Sequence, residues 1–406
     1  MNARRIRTLF GVVTAVTTAA VLAGCGSNAA GTAAPGEIDV RKLDVGTYST
    51  TPLDIRYTYN PRLQYAKQLA IMRLADNVAV GPDIDARFKY GTGGIAVTDS
   101  TKAIDVLADK NRPVVEKYDM MFGYATGSSE KAPDKNGKTG KDSAFTTVLV
   151  MQFPDENAAK QAAAEIEETD FAIAADMNQR VSLPKYPDAH THFRPGVSSI
   201  GSTMARGSYV INLYLGLPNA DKAGLTDLAQ KAYDAQVPLL DALKPLSRED
   251  MLLKLDYDPD GMLRRTLNPT ALGLPDTNSQ AYYSLRGFLS RNLDQDQLKR
   301  LMTEVGMDRY SRSVSINESV LYRTRDAAGA KVLLGKLIEG SYAAPADAVP
   351  NVPGAKCGER AAADTKRKRF RCAVTYRQYT ATAESDQLTD AQQRAAAQYA
   401  LLANSQ

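Results

Sequence analysis

Two passages of the chain follow the same strand-turn-helix order, and this internal echo constrains the fold more than any other feature. The first opens at Phe145 with the β-favouring run Thr147-Val148-Leu149-Val150-Met151-Gln152-Phe153, then Pro154-Asp155, then an alanine-rich helical stretch to Glu168. The second runs from Ser315 to Glu339, with Ser319-Val320-Leu321-Tyr322-Arg323, then Arg325-Asp326, then another helix. In both, the Asp stands where its carboxylate can accept from the free N–H groups of the first helical turn. A second pair follows: Tyr209 to Leu215 precedes a helix opening near Leu225-Thr226-Asp227, and Phe370 to Tyr379 precedes one near Leu388-Thr389-Asp390. Asp155 and Asp326 are 171 residues apart, and Asp227 and Asp390 are 163 apart. Near-equal offsets predict a duplication. The expected fold class is therefore α+β, as two related sheet-plus-helix sandwich domains with helices on one face of each sheet. Turn signals at Pro245-Leu246-Ser247 and Pro259-Asp260-Gly261 put the boundary between them, giving domains at 41–250 and 251–406. A core-facing entry helix is expected from Pro61 to Asn77, where Leu63, Ala66, Leu69, Ala70, Met72 and Leu74 recur near the helical period.

Ahead of these domains stand Arg4, Arg5 and Arg7, an uncharged stretch from Thr8 to Gly24, and the run Leu22-Ala23-Gly24-Cys25. That is the layout of a secretory signal, and the stretch is shorter than the ~20 apolar residues of a spanning helix. A Cys directly after Leu-Ala-Gly resembles the bacterial lipobox. The resemblance implies that 1–24 is a cleaved signal peptide, that the Cys25 thiol carries diacylglycerol, and that the mature chain sits on the outer face of the cytoplasmic membrane. Each buried methylene of such an anchor contributes about 0.8 kcal/mol. Gly26 to Gly36 is built from Gly, Ser, Asn, Ala, Thr and Pro, so 25–40 is expected to be a flexible tether.

Removing the three signal arginines lowers the formal charge from +4 to +1. A nearly neutral surface lacks the concentrated basic face that nucleic acid requires. Cys357 and Cys372 are the other two cysteines; in an oxidising compartment an even pair reads as a disulfide. Closing so short a loop contributes about 3 kcal/mol. Between them lies Lys366-Arg367-Lys368-Arg369, then Arg371, read as a solvated loop entering a strand, with anionic lipid or acidic polymer as the sharper alternative.

The only histidines are His190 and His192, in Pro187-Asp188-Ala189-His190-Thr191-His192-Phe193. Any triad chemistry would need one of them. A shared metal would need a third ligand, and Asp188 lies roughly 13 Å from His192 in an extended strand. Asp256-Tyr257-Asp258-Pro259-Asp260-Gly261 opens like a calcium loop, but Leu267 occupies the twelfth position, where a bidentate acid belongs. Ser128-Ser129-Glu130-Lys131 and Lys138-Thr139-Gly140 fit two penicillin-binding signatures but sit too close together. Gly137-Lys138-Thr139-Gly140-Lys141-Asp142 lacks the phosphate-loop pattern, Lys135 standing where the first glycine belongs. Gly91-Thr92-Gly93-Gly94 reads as a turn. No catalytic set, metal site or cofactor is implied, and the expectation is a protein that is not an enzyme.

The lipobox, the tether, Val115-Glu116-Lys117-Tyr118-Asp119 ahead of Gly123-Tyr124-Ala125-Thr126-Gly127, and Asp258-Pro259-Asp260-Gly261-Met262-Leu263-Arg264 resemble uncharacterised envelope lipoproteins of actinobacteria. So do the two strand-Asp-helix units. The resemblance implies an extracytoplasmic lipoprotein with a two-part α+β ectodomain. The leading expectation is a non-catalytic module holding a small or lipidic envelope ligand between its halves. A protein-interaction or sensor scaffold is the alternative, and a hydrolase using His190 and His192 the third. Cys25→Ala should abolish incorporation of labelled lipid and leave uncleaved or soluble protein; unchanged labelling would refute the lipobox.

Overall fold

The computed structural model describes residues 38–54, 56, 59–134, 137–268, 274–314, 318–361 and 367–405. Cys25, the signal segment and the tether up to residue 37 lie outside the described residues, as does Lys366. From Ile38 onward the chain forms one compact unit with hydrophobic cores of its own, the condition for folding alone. No helix among the described residues is long and apolar enough to cross a membrane.

Among the described residues there are two seven-stranded antiparallel sheets. The first holds β1 (Tyr90–Val97), β2 (Phe122–Ser129), β3 (Phe145–Gln152), β4 (Gln179–Arg180), β5 (His190–Phe193), β6 (Ser199–Arg206) and β7 (Tyr209–Gly216), in the order β1-β2-β3-β7-β6-β5-β4. The second holds β8 (Gln280–Tyr283), β9 (Arg309–Val314), β10 (Glu318–Arg323), β11 (Ala344–Ala346), β12 (Lys356–Glu359), β13 (Phe370–Tyr376) and β14 (Tyr379–Ser385), in the order β11-β12-β13-β14-β10-β9-β8. Read from its other end, the second order is the first with every label raised by seven. The duplication is thus written in the topology. In chain order the helices are α1 (Leu63–Ala75), α2 (Gly81–Ile84), α3 (Ser100–Ala103), α4 (Arg112–Lys117), α5 (Glu156–Ala172), α6 (Lys222–Asp241), α7 (Arg248–Leu253), α8 (Leu285–Ser290), α9 (Gln295–Glu304), α10 (Ala327–Ile338) and α11 (Leu388–Asn404).

Asp155 caps α5 by accepting from the Ala158 N–H at 2.8 Å, and Asp326 caps α10 by accepting from the Gly329 N–H at 2.8 Å. The hairpins β6–β7 and β13–β14 turn through left-handed residues at matching places, Gly207 and Arg377. The counterpart of Tyr209–Gly216 is therefore Tyr379–Ser385; the run starting at Phe370 matches β6 instead. Helix α6 starts a turn ahead of Leu225 because Asp221 caps it, accepting from the Ala223 N–H.

The layering differs from the one-faced expectation: helices cover both faces of both sheets. Helices α3, α4 and α5 lie over Ala125, Leu149, Met151 and Val210, while Tyr124, Val148, Val150 and Ile211 face the core shared with α1 and α6. The cause is legible in β3, where Val148-Leu149-Val150-Met151 is apolar on both sides, as a strand buried on two faces must be. In the second sheet, Cys372, Val374, Ala381 and Ala383 face α11, and on the other side the Thr380 hydroxyl donates to the Ala330 carbonyl of α10.

The two halves meet at β1, the edge of the first sheet. Gly91 N–H donates to the Leu293 carbonyl at 2.7 Å, and Asp296 N–H donates to the Lys89 carbonyl at 3.1 Å. The α8–α9 connection thereby covers an edge that would otherwise present open hydrogen-bonding groups. A Cβ at Gly91 would stand 2.3 Å from the Asn292 carbonyl oxygen, and one at Gly94 2.1 Å from Tyr124 Oη. Gly91-Thr92-Gly93-Gly94 is accordingly a strand with a bulge, not a turn; Gly91 admits the other half, and Gly94 makes room for Tyr124. Around it, Tyr124 Oη and Ser290 Oγ are 2.8 Å apart, and Asp83 accepts from Arg286 Nε at 2.9 Å and Lys299 Nζ at 2.8 Å. Ser128, first residue of the S-x-x-K match, is a buried tie in this joint: its hydroxyl donates to Gln295 Oε1 and accepts from the Gly81 N–H. One core runs through both halves, from Leu69 to Leu333.

The N-terminal segment also crosses the expected boundaries. Ile38, Val40, Leu43 and Val45 pack on the core beneath α11, so the folded body begins at Ile38, inside the segment assigned to the tether. Gln393 Nε2 donates to Asp44 Oδ1 at 3.0 Å and Asn404 Nδ2 to the Thr50 carbonyl at 2.9 Å. These first residues of the expected N-terminal domain therefore lie on the C-terminal half. Gly94→Ala should destabilise the protein by about 1–3 kcal/mol, the usual cost of forcing atoms into a filled core. Gly335→Ala, in a helix with open space around the new methyl group, should not. Urea unfolding of the two variants checks this.

Candidate functional site

A cleft of about 410 Å³ opens on the α5 face of the first sheet. Helix α5 runs across β5, β6 and β7 and stops short, leaving the strand surface beyond it uncovered. Val210 lies under α5, so by the two-residue period of a strand Asn212 and Tyr214 share its face. The walls are apolar: Val106 and Leu107 from the loop between α3 and α4, Ile173 after α5, Val197, and Tyr214. Ile173 and Tyr214 are each more than half exposed, which is unusual for side chains with so much apolar surface.

Polar groups converge on the floor. His192 comes from β5, and its Nδ1 lies 2.6 Å from Oε1 of Glu167, a buried residue of α5. Among the described residues the imidazole has no other hydrogen-bond partner. A Cβ at Gly201 would stand 2.9 Å from His192 Cε1, so this glycine makes room for the ring. Phe171 meets the imidazole edge-on at 6.1 Å. Burial pushes the Glu167 carboxyl up to about 7, against the stabilising contact of His192. Asp170, one turn further along α5, is also raised by burial and accepts from Asn111 Nδ2 at 2.7 Å. Arg194, just past the end of β5, also lines the cleft and donates through Nε to Asn178 Oδ1 at 3.3 Å. Oε2 of Glu167 and Oδ1 of Asn111 are buried without a hydrogen-bond partner among the described residues.

Of the two histidines singled out in the sequence, only His192 enters the cleft. His190 is exposed at the start of β5, outside the cleft lining. Cys357 and Cys372 stand directly opposite each other on β12 and β13 and are joined by a disulfide. The calcium-like loop spends its acids within the protein. Asp258 accepts from the N–H groups of Leu263 and Arg264, and Asp260 pairs with Arg309 and Arg323. Among the described residues no group of three or more His, Cys, Asp or Glu is arranged to hold a metal ion. The basic run is also engaged internally: Lys368 with Asp386, Arg369 with Glu359, Arg371 with Glu384. The cleft lies within the first repeat, not between the halves as expected.

Glu167, Asp170, Arg194 and Tyr214 escaped the sequence reading. A signal for Glu167 was present: Ala159 and Ala163 precede it at four-residue intervals on the core-facing stripe of α5, where a carboxylate is out of place.

The fold and site define a two-repeat α+β protein with a ligand-sized cleft in its first repeat. The chain belongs to the DUF7373 family: the family's N-terminal domain of unknown function matches residues 57–254 and its C-terminal domain matches residues 262–405. No curated protein matches the sequence significantly. Among solved structures, the extracellular domain of PknH from Mycobacterium tuberculosis is similar at 11% identity, covering 45% of this chain and 98% of that one, with a TM-score of 0.31. A likeness of that size carries no argument here.

Glu167 makes stability depend on pH with a definite sign. Its carboxyl loses a proton near 4.3 when unfolded and near 7 when folded, so over that interval the folded state holds a proton that the unfolded state has lost. Stability should therefore fall as pH rises from about 4.5 to 7, by up to roughly 3 kcal/mol. Glu167→Gln should flatten that slope, as read from urea midpoints across the range.

Proposed function

We propose that this protein is a lipid-anchored, extracytoplasmic binding module of the actinobacterial envelope-lipoprotein type, holding a small or lipidic ligand in the cleft of its first repeat without acting as an enzyme on it. The observation that carries the reading is the cleft itself. Its volume falls within the 300–1,000 Å³ typical of ligand sites, and apolar walls with a few convergent polar groups are their usual lining. The Cys357–Cys372 disulfide supports an oxidising compartment. The His-dependent hydrolase reading draws on the His192–Glu167 pair. Among the described residues no Ser, Thr or Cys hydrogen-bonds the ring, which favours the binding reading.

Native mass spectrometry of the exported ectodomain should show a discrete extra mass released on denaturation. Ile173→Arg, an exposed change at the mouth, should remove that mass and leave the fold intact. A bare mass in both would overturn the binding reading in favour of a scaffold for protein partners.

A further inference from the structure

Resting on the cleft as a binding site, we infer that its ligand is an anionic amphiphile: one acid group, carboxylate or phosphate, on an apolar body. His192 of β5 and Arg194, the residue that follows the strand's end, both line the cleft. With Nδ1 taken up by Glu167, the ring's remaining nitrogen, Nε2, is the one left for a ligand. Among the described residues Arg194 commits only Nε, to Asn178, so its two terminal nitrogens remain donors. Two donors in one cleft lining suit the oxygens of a single acid group, directly or through one water.

The carboxyls beside them do not contradict this. The groups facing Glu167 are His192 of β5, Asp170 of its own helix and Arg180 of β4, with Tyr233 of α6 across the sheet. When Glu167 is neutral its O–H donates to His192 Nδ1, and the ring then carries its hydrogen on Nε2, facing the cleft. When an ionised Glu167 accepts from Nδ1–H of a neutral ring, Nε2 faces the cleft as an acceptor, so an anion selects the form with hydrogen on Nε2. Burial raises Asp170 as well, and its Oδ1 is already engaged in accepting from Asn111 Nδ2. Elsewhere in the lining, Val106, Leu107, Ile173 and Val197 supply apolar contact, which fits the body of an amphiphile and not a second charge.

The test is isothermal titration calorimetry of residues 38–406 with octanoate, octyl phosphate and 1-octanol, each below its aggregation limit. At least one of the two acids should bind ten-fold or more tighter than the alcohol. Which acid is preferred separates a fatty-acid-like ligand from a phosphate-bearing one. His192→Gln and Arg194→Gln should each cut the affinity for the acid at least five-fold and leave octanol unchanged, while circular dichroism and melting temperature confirm folding. If all three bind alike and Ile173→Arg abolishes them together, the cleft stands as an apolar binding site and the anion inference fails. If none binds, or if Ile173→Arg leaves binding intact, the cleft reading fails with it.

Discussion

Backbone meets backbone at Gly91, and the architecture depends on that contact. Because residue 91 has no side chain, the α8–α9 connection can lay its carbonyls against the edge of β1 and finish a sheet that belongs to the other repeat. Tyr124, Ser128 and Asp83 then find partners in Ser290, Gln295, Arg286 and Lys299. Phe288, Tyr310 and Tyr322 join the same apolar cluster as Leu69. Two copies of one topology are thereby fused into a single cooperative body. At Gly91 the interface is closed by backbone approach, and the cleft lies elsewhere, within the first repeat.

What could be read in the sequence was local. Asp155 and Asp326 cap their helices because a carboxylate ahead of a helical turn answers to nearby N–H groups alone. The repeat could be read for the same reason, since each unit carries its own strand, cap and helix. Sheet layering could not. Whether Leu149 or Val150 faces a helix depends on elements far away in the chain, and the clue that both do was a run without alternation. The glycines of β1 were misread because a close approach and a turn ask the same thing of a residue, namely no side chain. The cleft lay beyond local reasoning, since it joins α5, β5, β7 and the loop at Val106. Only His192 carried a chemistry conspicuous enough to be noticed singly.

The charges tell a similar story. The basic run near Cys372 looks like an invitation to an external anion until Glu359, Glu384 and Asp386 are placed beside it. The three acids of the calcium-like loop look like ligands until Asp258 is seen accepting from backbone N–H groups and Asp260 from arginines. In both places the protein neutralises itself. Arg194 is different, since among the described residues its terminal nitrogens remain uncommitted beside apolar walls. That contrast, more than the number of basic residues, distinguishes a binding surface from a structural one.

The first folded residues and the last helix hold each other: Tyr48 donates to Asp390 across 342 positions of chain, and Asn404 reaches Thr50 across 354. A chain closed in this way cannot complete its tertiary structure while it is still emerging. The partner of its opening segment is synthesised last, and the entropic toll of so large a loop falls on the final step. Until that moment the segment from Ile38 to Val45 shows its apolar side chains to solvent, leaving the unfinished polypeptide extended and in need of company. The same clasp ties the opening segment along the length of the last helix, from Asp390 to Asn404.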